Sequence, residues 1–136
     1  MIQNSTVDPA RIALDLWSRL TPRGTGPSMA LLAATCTADV EQVNGFGVYS
    51  KGREALFAAA QQAVVKDKTV GLESTVANAN LLAADVILAH IVSSAEIPDG
   101  PRAGQIQFRF TLVIVNQDEA WKIRSMSTTL VQPLPS

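Results

Sequence analysis

The sequence predicts an α+β domain with helices packed on one face of a curved antiparallel sheet, and three observations predict it. Apolar residues recur at helical spacing only in the first half of the chain, ending near Val64. Four long β-type runs follow, starting at Thr69, Asp85, Gln105 and Trp121. Two of the segments between them, "AEIPDGPRAG" and "NQDEA", have the residues or the length of hairpin turns, so the runs form an antiparallel meander. A long twisted sheet curls, and the space between its concave face and the helices is where a ligand is expected.

Size and charge narrow the function classes. The chain has 136 residues, enough for one substantial core and too few for two ordinary domains, so residues 1–136 are read as a single domain. Hydrophobic residues make up 47% and charged residues 17%, a balance that lets burial exceed the entropy cost of ordering. Eleven basic against twelve acidic residues, with no basic block, leave no electrostatic footprint for nucleic acid or anionic lipid. The longest apolar runs, "VILAHIV" and "TLVIV", fall well short of the roughly 20 residues a membrane helix needs. "MIQNSTVDPA" has no basic segment followed by an apolar one, so no secretory signal is read there and the cytoplasm is the expected compartment. Cys36 is the only cysteine and His90 the only histidine, so no metal or other cofactor is expected.

Taken in order, Asp8-Pro9 reads as an N-cap followed by proline at the first helical position, where its fixed φ helps. Ile12, Ala13, Leu16, Trp17 and Leu20 then form one apolar face of a helix from Pro9 to Leu20. "TPRGTGP" ends it, and Ser28 caps a short second helix through "MALLAATC", ending near Thr37. Cys36 reads as a small buried hydrophobe, since no basic group sits beside it in sequence. "DVEQVN" alternates, with Val40, Gln42 and Asn44 on one face, and a second short strand is read over residues 47–50. Gly52 opens a third helix whose Leu56, Phe57, Ala60 and Val64 share a face.

The passage "FGVYSKGREALFAAAQQAV", followed by "AADVILAHIV" and "FTLVIVNQDEAWKIRSMSTT", resembles the SnoaL-like proteins of the nuclear transport factor 2-like superfamily, most closely the SgcJ/EcaC type. The resemblance covers about residues 28–129 and rests on the order of the motifs. It implies a cone-shaped α+β barrel (cystatin-like, nuclear transport factor 2-like), a pocket between the sheet and the first helix, and a homodimer formed through the sheet. "VILAHIV" is apolar on both faces, which agrees with a covered convex side. The superfamily includes isomerases, cyclases, hydrolases, dehydratases and proteins without chemistry, and the SgcJ/EcaC type is linked to natural-product pathways, including polyketides. Fold-level analogy therefore sets only a prior on function.

Strand alternation places His90 with Val86, Leu88 and Val92, and Ile87, Ala89, Ile91 and Ser93 opposite. An imidazole suits general acid/base work near neutral pH. The competing reading, a core or interface histidine bonded to a neighbour, is favoured because sequence shows neither a substrate-facing position nor an orienting partner. In the last strand, alternation groups Trp121, Ile123, Ser125, Ser127 and Thr129. Related sequences carry His-Asn-Thr where this chain has Ser127, Thr128 and Thr129, and a hydroxyl is no base unaided. Gln42 and Asn44 are amides that a ligand's carbonyls and hydroxyls would satisfy. Arg109 is read as lying on the outer face and crossing the dimer, in preference to binding an anionic substrate inside the cone, with Glu54 and Glu73 on solvated faces and Arg53 as a fold residue. No Asp is placed on an inward strand position, which disfavours steroid-isomerase chemistry, although Asp15 on the first helix stays open. The expected pocket is thus lined by Trp17, Gln42, Asn44, Trp121, Ser125 and Ser127 and takes a hydrophobic small molecule, such as a polyketide-type intermediate. The alternatives are an isomerase, cyclase or dehydratase using His90 in that pocket, and a structural or protein-binding dimer with a filled cone.

Overall fold

The computed structural model describes residues 7–20, 28–45, 47–66, 70–97 and 104–131. The break expected at 21–27, Phe46, the strand start at Thr69, the hairpin tip at 98–103 and the side chain of Val64 lie outside the described residues. Among the described residues three helices, α1 (Pro9–Leu20), α2 (Met29–Thr35) and α3 (Arg53–Lys66), accompany six strands: β1 (Cys36–Val43), β2 (Tyr49–Lys51), β3 (Val70–Ala83), β4 (Val86–Ile97), β5 (Gly104–Gln117) and β6 (Ala120–Leu130). The sheet order is β2-β1-β6-β5-β4-β3. β3 to β6 form the expected antiparallel meander, and β1 joins it parallel to β6.

The helix starts follow their caps. The Asp8 carboxylate accepts the Arg11 N–H at 3.2 Å, and the Ser28 hydroxyl accepts that of Leu31 at 3.1 Å, each satisfying a donor the helix leaves free. Gly52 has φ +89°, a conformation costly for any side chain, and its carbonyl accepts from Leu56 to start α3. Arg53 then turns back to donate to the Cys36 carbonyl from Nε (3.1 Å) and Nη2 (2.6 Å), with Nη2 also 3.4 Å from the Ala33 carbonyl. Lys122 Nζ donates to Ala33 as well, so two cations finish the carbonyl end of α2, where positive charge is favourable. Arg53 is the fold residue the sequence suggests.

Ala13, Leu16, Trp17 and Leu20 of α1 are buried against Ile87, Ala89 and Ile91 of β4, Leu112 and Ile114 of β5, and Ile123 and Met126 of β6. That side of the sheet is concave and carries the helices. The core is continuous from α1 to Cys36, Val40 and Leu56.

The β5–β6 turn closes with two residues, Asp118 at φ +52° and Glu119 at φ +66°, between the paired Gln117 and Ala120. Positive φ at both central positions marks the I′ hairpin turn, which suits strand twist but favours Asn and Gly. A Cβ in the left-handed region costs about 1–2 kcal/mol, and glycine returns part of that through unfolded-state entropy. Glu119→Gly is expected to stabilise the protein by about 0.5–1 kcal/mol, raising the melting temperature by about 2–4 °C. An unchanged or lower melting temperature would show that Glu119 bears no backbone strain.

Candidate functional site: the two faces of the sheet

Strand register assigns every candidate side chain to a face. On the concave side, one cross-strand row runs Ser74, Ser93, Phe108, Leu130, and the next Val76, Ile91, Phe110, Thr128. A third runs Ala79, Ala89, Leu112, Met126, Gln42, Ser50. Trp17 drops from α1 into these rows. Its ring centroid lies 4.4 Å from that of Phe110 at 47°, and its Nε1–H donates to Ser74 Oγ at 3.0 Å. Ser74 and Ser93 share a 2.6 Å hydrogen bond, so the buried Ser93 hydroxyl is satisfied. Phe108 stands 6.1 Å from Phe110, and both rings are only half-buried although they face the helices. Gln42 and Thr128 are half-buried on the same side.

The expected grouping of the last strand fails at one residue. From Gln117↔Ala120 to Ile114↔Ile123 the β5–β6 partners step evenly, but Val113 pairs with Ser125, leaving Arg124 as an extra residue. This β-bulge inverts the alternation beyond it. Trp121 and Ile123 face the concave side, and so do Met126, Thr128 and Leu130. Ser125, Ser127 and Thr129 lie on the convex face, so neither serine lines a pocket with Trp17. Arg124 reaches Asp39 (Nε to Oδ2, 3.3 Å) and Glu41 (Nη1 to Oε2, 2.8 Å). The Tyr49 hydroxyl donates to Glu41, and this bond, followed by that from Arg124, holds the Glu41 carboxyl below its usual range.

Asn44 serves the β1–β2 turn. Its N–H donates to the Val48 carbonyl and its Oδ1 accepts the Val48 N–H, both at 3.0 Å, while its carbonyl accepts from Gly47. Trp121 faces inward but at the other end of the cone, where it walls an open groove of about 730 Å3 beside α1. Of the six expected pocket residues, Trp17, Gln42 and Trp121 lie on the concave side, with Trp121 at its far end.

His90 sits on the convex face. Its row crosses all six strands: Tyr49, Val43, Ser127, Thr111, His90, Asn78. Thr111 Oγ1 lies 3.4 Å from Nδ1. Around it Val86, Leu88, Val92, Val113 and Val115 are half-buried, so this face is apolar without being covered. The imidazole and the indole of Trp17 lie on opposite sides of the sheet, and the expected use of both in one pocket is not what the fold allows. Arg109 faces outward beside Val92 and Thr129 and is exposed, as are Glu54 and Glu73. Asp15, also exposed, pairs with Arg19 at 3.3 Å. Cys36 is fully buried, and burial pushes its thiol up, which suits an inert packing residue.

Sequence reasoning missed Phe108, Phe110, Ser74, Ser93 and Thr128. A Phe-x-Phe pair places both rings on one face, and that signal was available.

The sequence matches no family model and no curated protein. Solved structures do match. A cystatin-like-fold domain from Nostoc punctiforme aligns with a TM-score of 0.73 at 20% identity, covering 96% of this chain and 82% of that one. A ketosteroid isomerase-like protein from Erwinia carotovora atroseptica aligns at 0.69 and 11% identity, covering 90% and 93%. The fold is nuclear transport factor 2-like, or cystatin-like. A Thiobacillus denitrificans protein named as a calcium/calmodulin-dependent protein kinase type II association domain shares the nuclear transport factor 2-like fold of this chain at 0.72 and 15% identity, covering 95% and 100%. Within this fold the sheet here is curved but unclosed. Among the described residues no helix is long and apolar enough to cross a membrane.

Proposed function

We propose that the protein is a cytoplasmic SnoaL-like binder of a hydrophobic small molecule, of the polyketide-intermediate type, held on the concave face beside Trp17. The observation that carries this reading is the pair of inward-facing aromatic rings, Phe108 and Phe110, left half-uncovered beside Thr128, with Gln42 on the same face beyond β6. Apolar burial on the rings supplies affinity, and the amide and hydroxyl supply orientation. The SgcJ/EcaC assignment rests on the order of sequence motifs, and the neighbouring ketosteroid isomerase-like structure is compatible with a ligand in the cone.

The same reading pairs two copies through the convex face. Five half-exposed aliphatic side chains around His90 support it, and a protein of this fold carries the name of an association domain. His90 then serves the interface, with Thr111 as its hydrogen-bond partner, and proton transfer in the cone does not involve it.

The test is titration with hydroxylated anthraquinones, followed by backbone and indole NMR shifts. Saturable shifts at Trp17 and Phe110 are expected. Thr128→Trp, which fills the space beside Phe110, is expected to abolish them, and Gln42→Leu to weaken binding about fivefold. Binding that ignores Thr128→Trp, or no saturable shift with any of these compounds, would remove the cone as the site.

A further inference from the structure

A second concavity lies at the other end of the concave side from Phe108 and Phe110, between α1, the end of α2 and the start of β6. Ile12, Leu16, Ala34, Ala120 and Trp121 form its apolar part, and Asp8, Arg11, Asp15 and Arg19 its charged part, around about 730 Å3. Trp121 is only half-buried, and the residues beside it, Ala34 and Ala120, are too small to cover its ring. A large indole between two alanines leaves a flat apolar wall open to solvent, the kind of surface on which planar ligands stack.

The charges decide what fits there. Asp8 is engaged as the helix cap, its carboxylate accepting the Arg11 N–H. Asp15 is engaged with Arg19 at 3.3 Å. Among the described residues the Arg11 guanidinium has no ion pair and no side-chain hydrogen bond. Three of the four charged groups therefore already have partners, and the one left is a planar five-donor cation suited to a carboxylate.

We infer that this groove is a second ligand site for a planar aromatic carboxylate, whose ring stacks on Trp121 and whose carboxylate pairs with Arg11. The site is separate from the one beside Trp17: it uses the opposite end of β6 and a different indole. The chain has two tryptophans, one at each site, so their indole N–H signals report the two separately.

The experiment is titration of the intact protein with benzoate, naphthoate and anthracene carboxylate, with the two indole signals assigned through Trp17→Phe. A saturable shift of the Trp121 signal is expected while that of Trp17 stays in place. Arg11→Gln should weaken naphthoate binding about five- to tenfold, roughly 1–1.4 kcal/mol, and the neutral naphthamide should bind the unaltered protein that much more weakly. Ala34→Leu, an exposed change that fills the wall, should remove the shift without lowering stability. No saturable Trp121 shift up to millimolar concentration with any of the three acids would overturn the inference. So would equal binding of acid and amide, or a shift confined to Trp17. Because anthraquinone binding is read at Trp17 and Phe110, failure of either site leaves the other measurement intact.

Discussion

Trp17→Ala is expected to be among the most damaging single substitutions in this protein, lowering unfolding free energy by about 3–5 kcal/mol. The indole is 4% exposed and bridges α1 to three strands through Phe110 and the Ser74–Ser93 pair. Its removal opens a cavity in the middle of the cone and strips Ser74 of a donor. Natural domains have about 5–15 kcal/mol in all, so the variant should melt far below the unaltered protein. Trp17→Phe separates the two contributions. It keeps most of the apolar volume and loses the indole N–H, and because Ser74 and Ser93 still satisfy each other it should cost only about 1–2 kcal/mol. Urea unfolding at equilibrium measures both. A loss below about 1 kcal/mol for Trp17→Ala would mean that the indole does not hold α1 to the sheet.

Leu88→Glu should separate the proposed dimer. Leu88 and Val113 are register partners at the centre of the apolar convex face, and Ser125 extends their row onto β6. A carboxylate facing its two-fold mate there has no cation beside it in the row, and an unpaired charge buried at an interface costs several kcal/mol. Light scattering after size exclusion should show the mass falling from two chains to one, with the circular dichroism of the fold retained. Thr129→Glu, on the same face but beside the exposed Arg109, should leave the mass unchanged. If the unaltered protein already runs as a single chain, or if Leu88→Glu still runs as two, the pairing surface lies elsewhere.

How far the sequence predicts this molecule depends on the range of the interaction. Local signals transfer well: Asp8-Pro9 and Ser28 as caps, Gly52 before α3, and the Gln117-to-Ala120 turn all reflect backbone geometry settled within a few residues. β3 is harder. Its second half, "ANANLLA", has little β propensity, and it is a strand because β4 offers a long paired edge, with bulges at three places to take up the mismatch. The parallel contact of β1 with β6 joins residues far apart in sequence and has no local signature. Asn44 illustrates a legible signal read for the wrong purpose: Asn-Gly is a hairpin dipeptide, and the amide is consumed by its own turn.

The faces of β6 were out of reach for a sharper reason. Strict alternation is a good rule only while the register is uninterrupted, and nothing in "WKIRSMSTTL" announces that Arg124 is unpaired. The arginine finds its reason in Asp39 and Glu41, carboxylates some eighty residues earlier in the chain. Ser125 and Ser127 therefore moved from the expected pocket to the opposite surface, together with the histidine's row.

That one unpaired residue also bears on how roles pass between relatives. A relative of equal length in which this residue was paired would keep the same letters in the last strand and nearly the same trace in space, yet its serines would face the concave side while methionine and threonine faced the convex one. Alignment columns would still match residue for residue, and every inherited statement about lining or contact would be inverted from that residue to the strand's end.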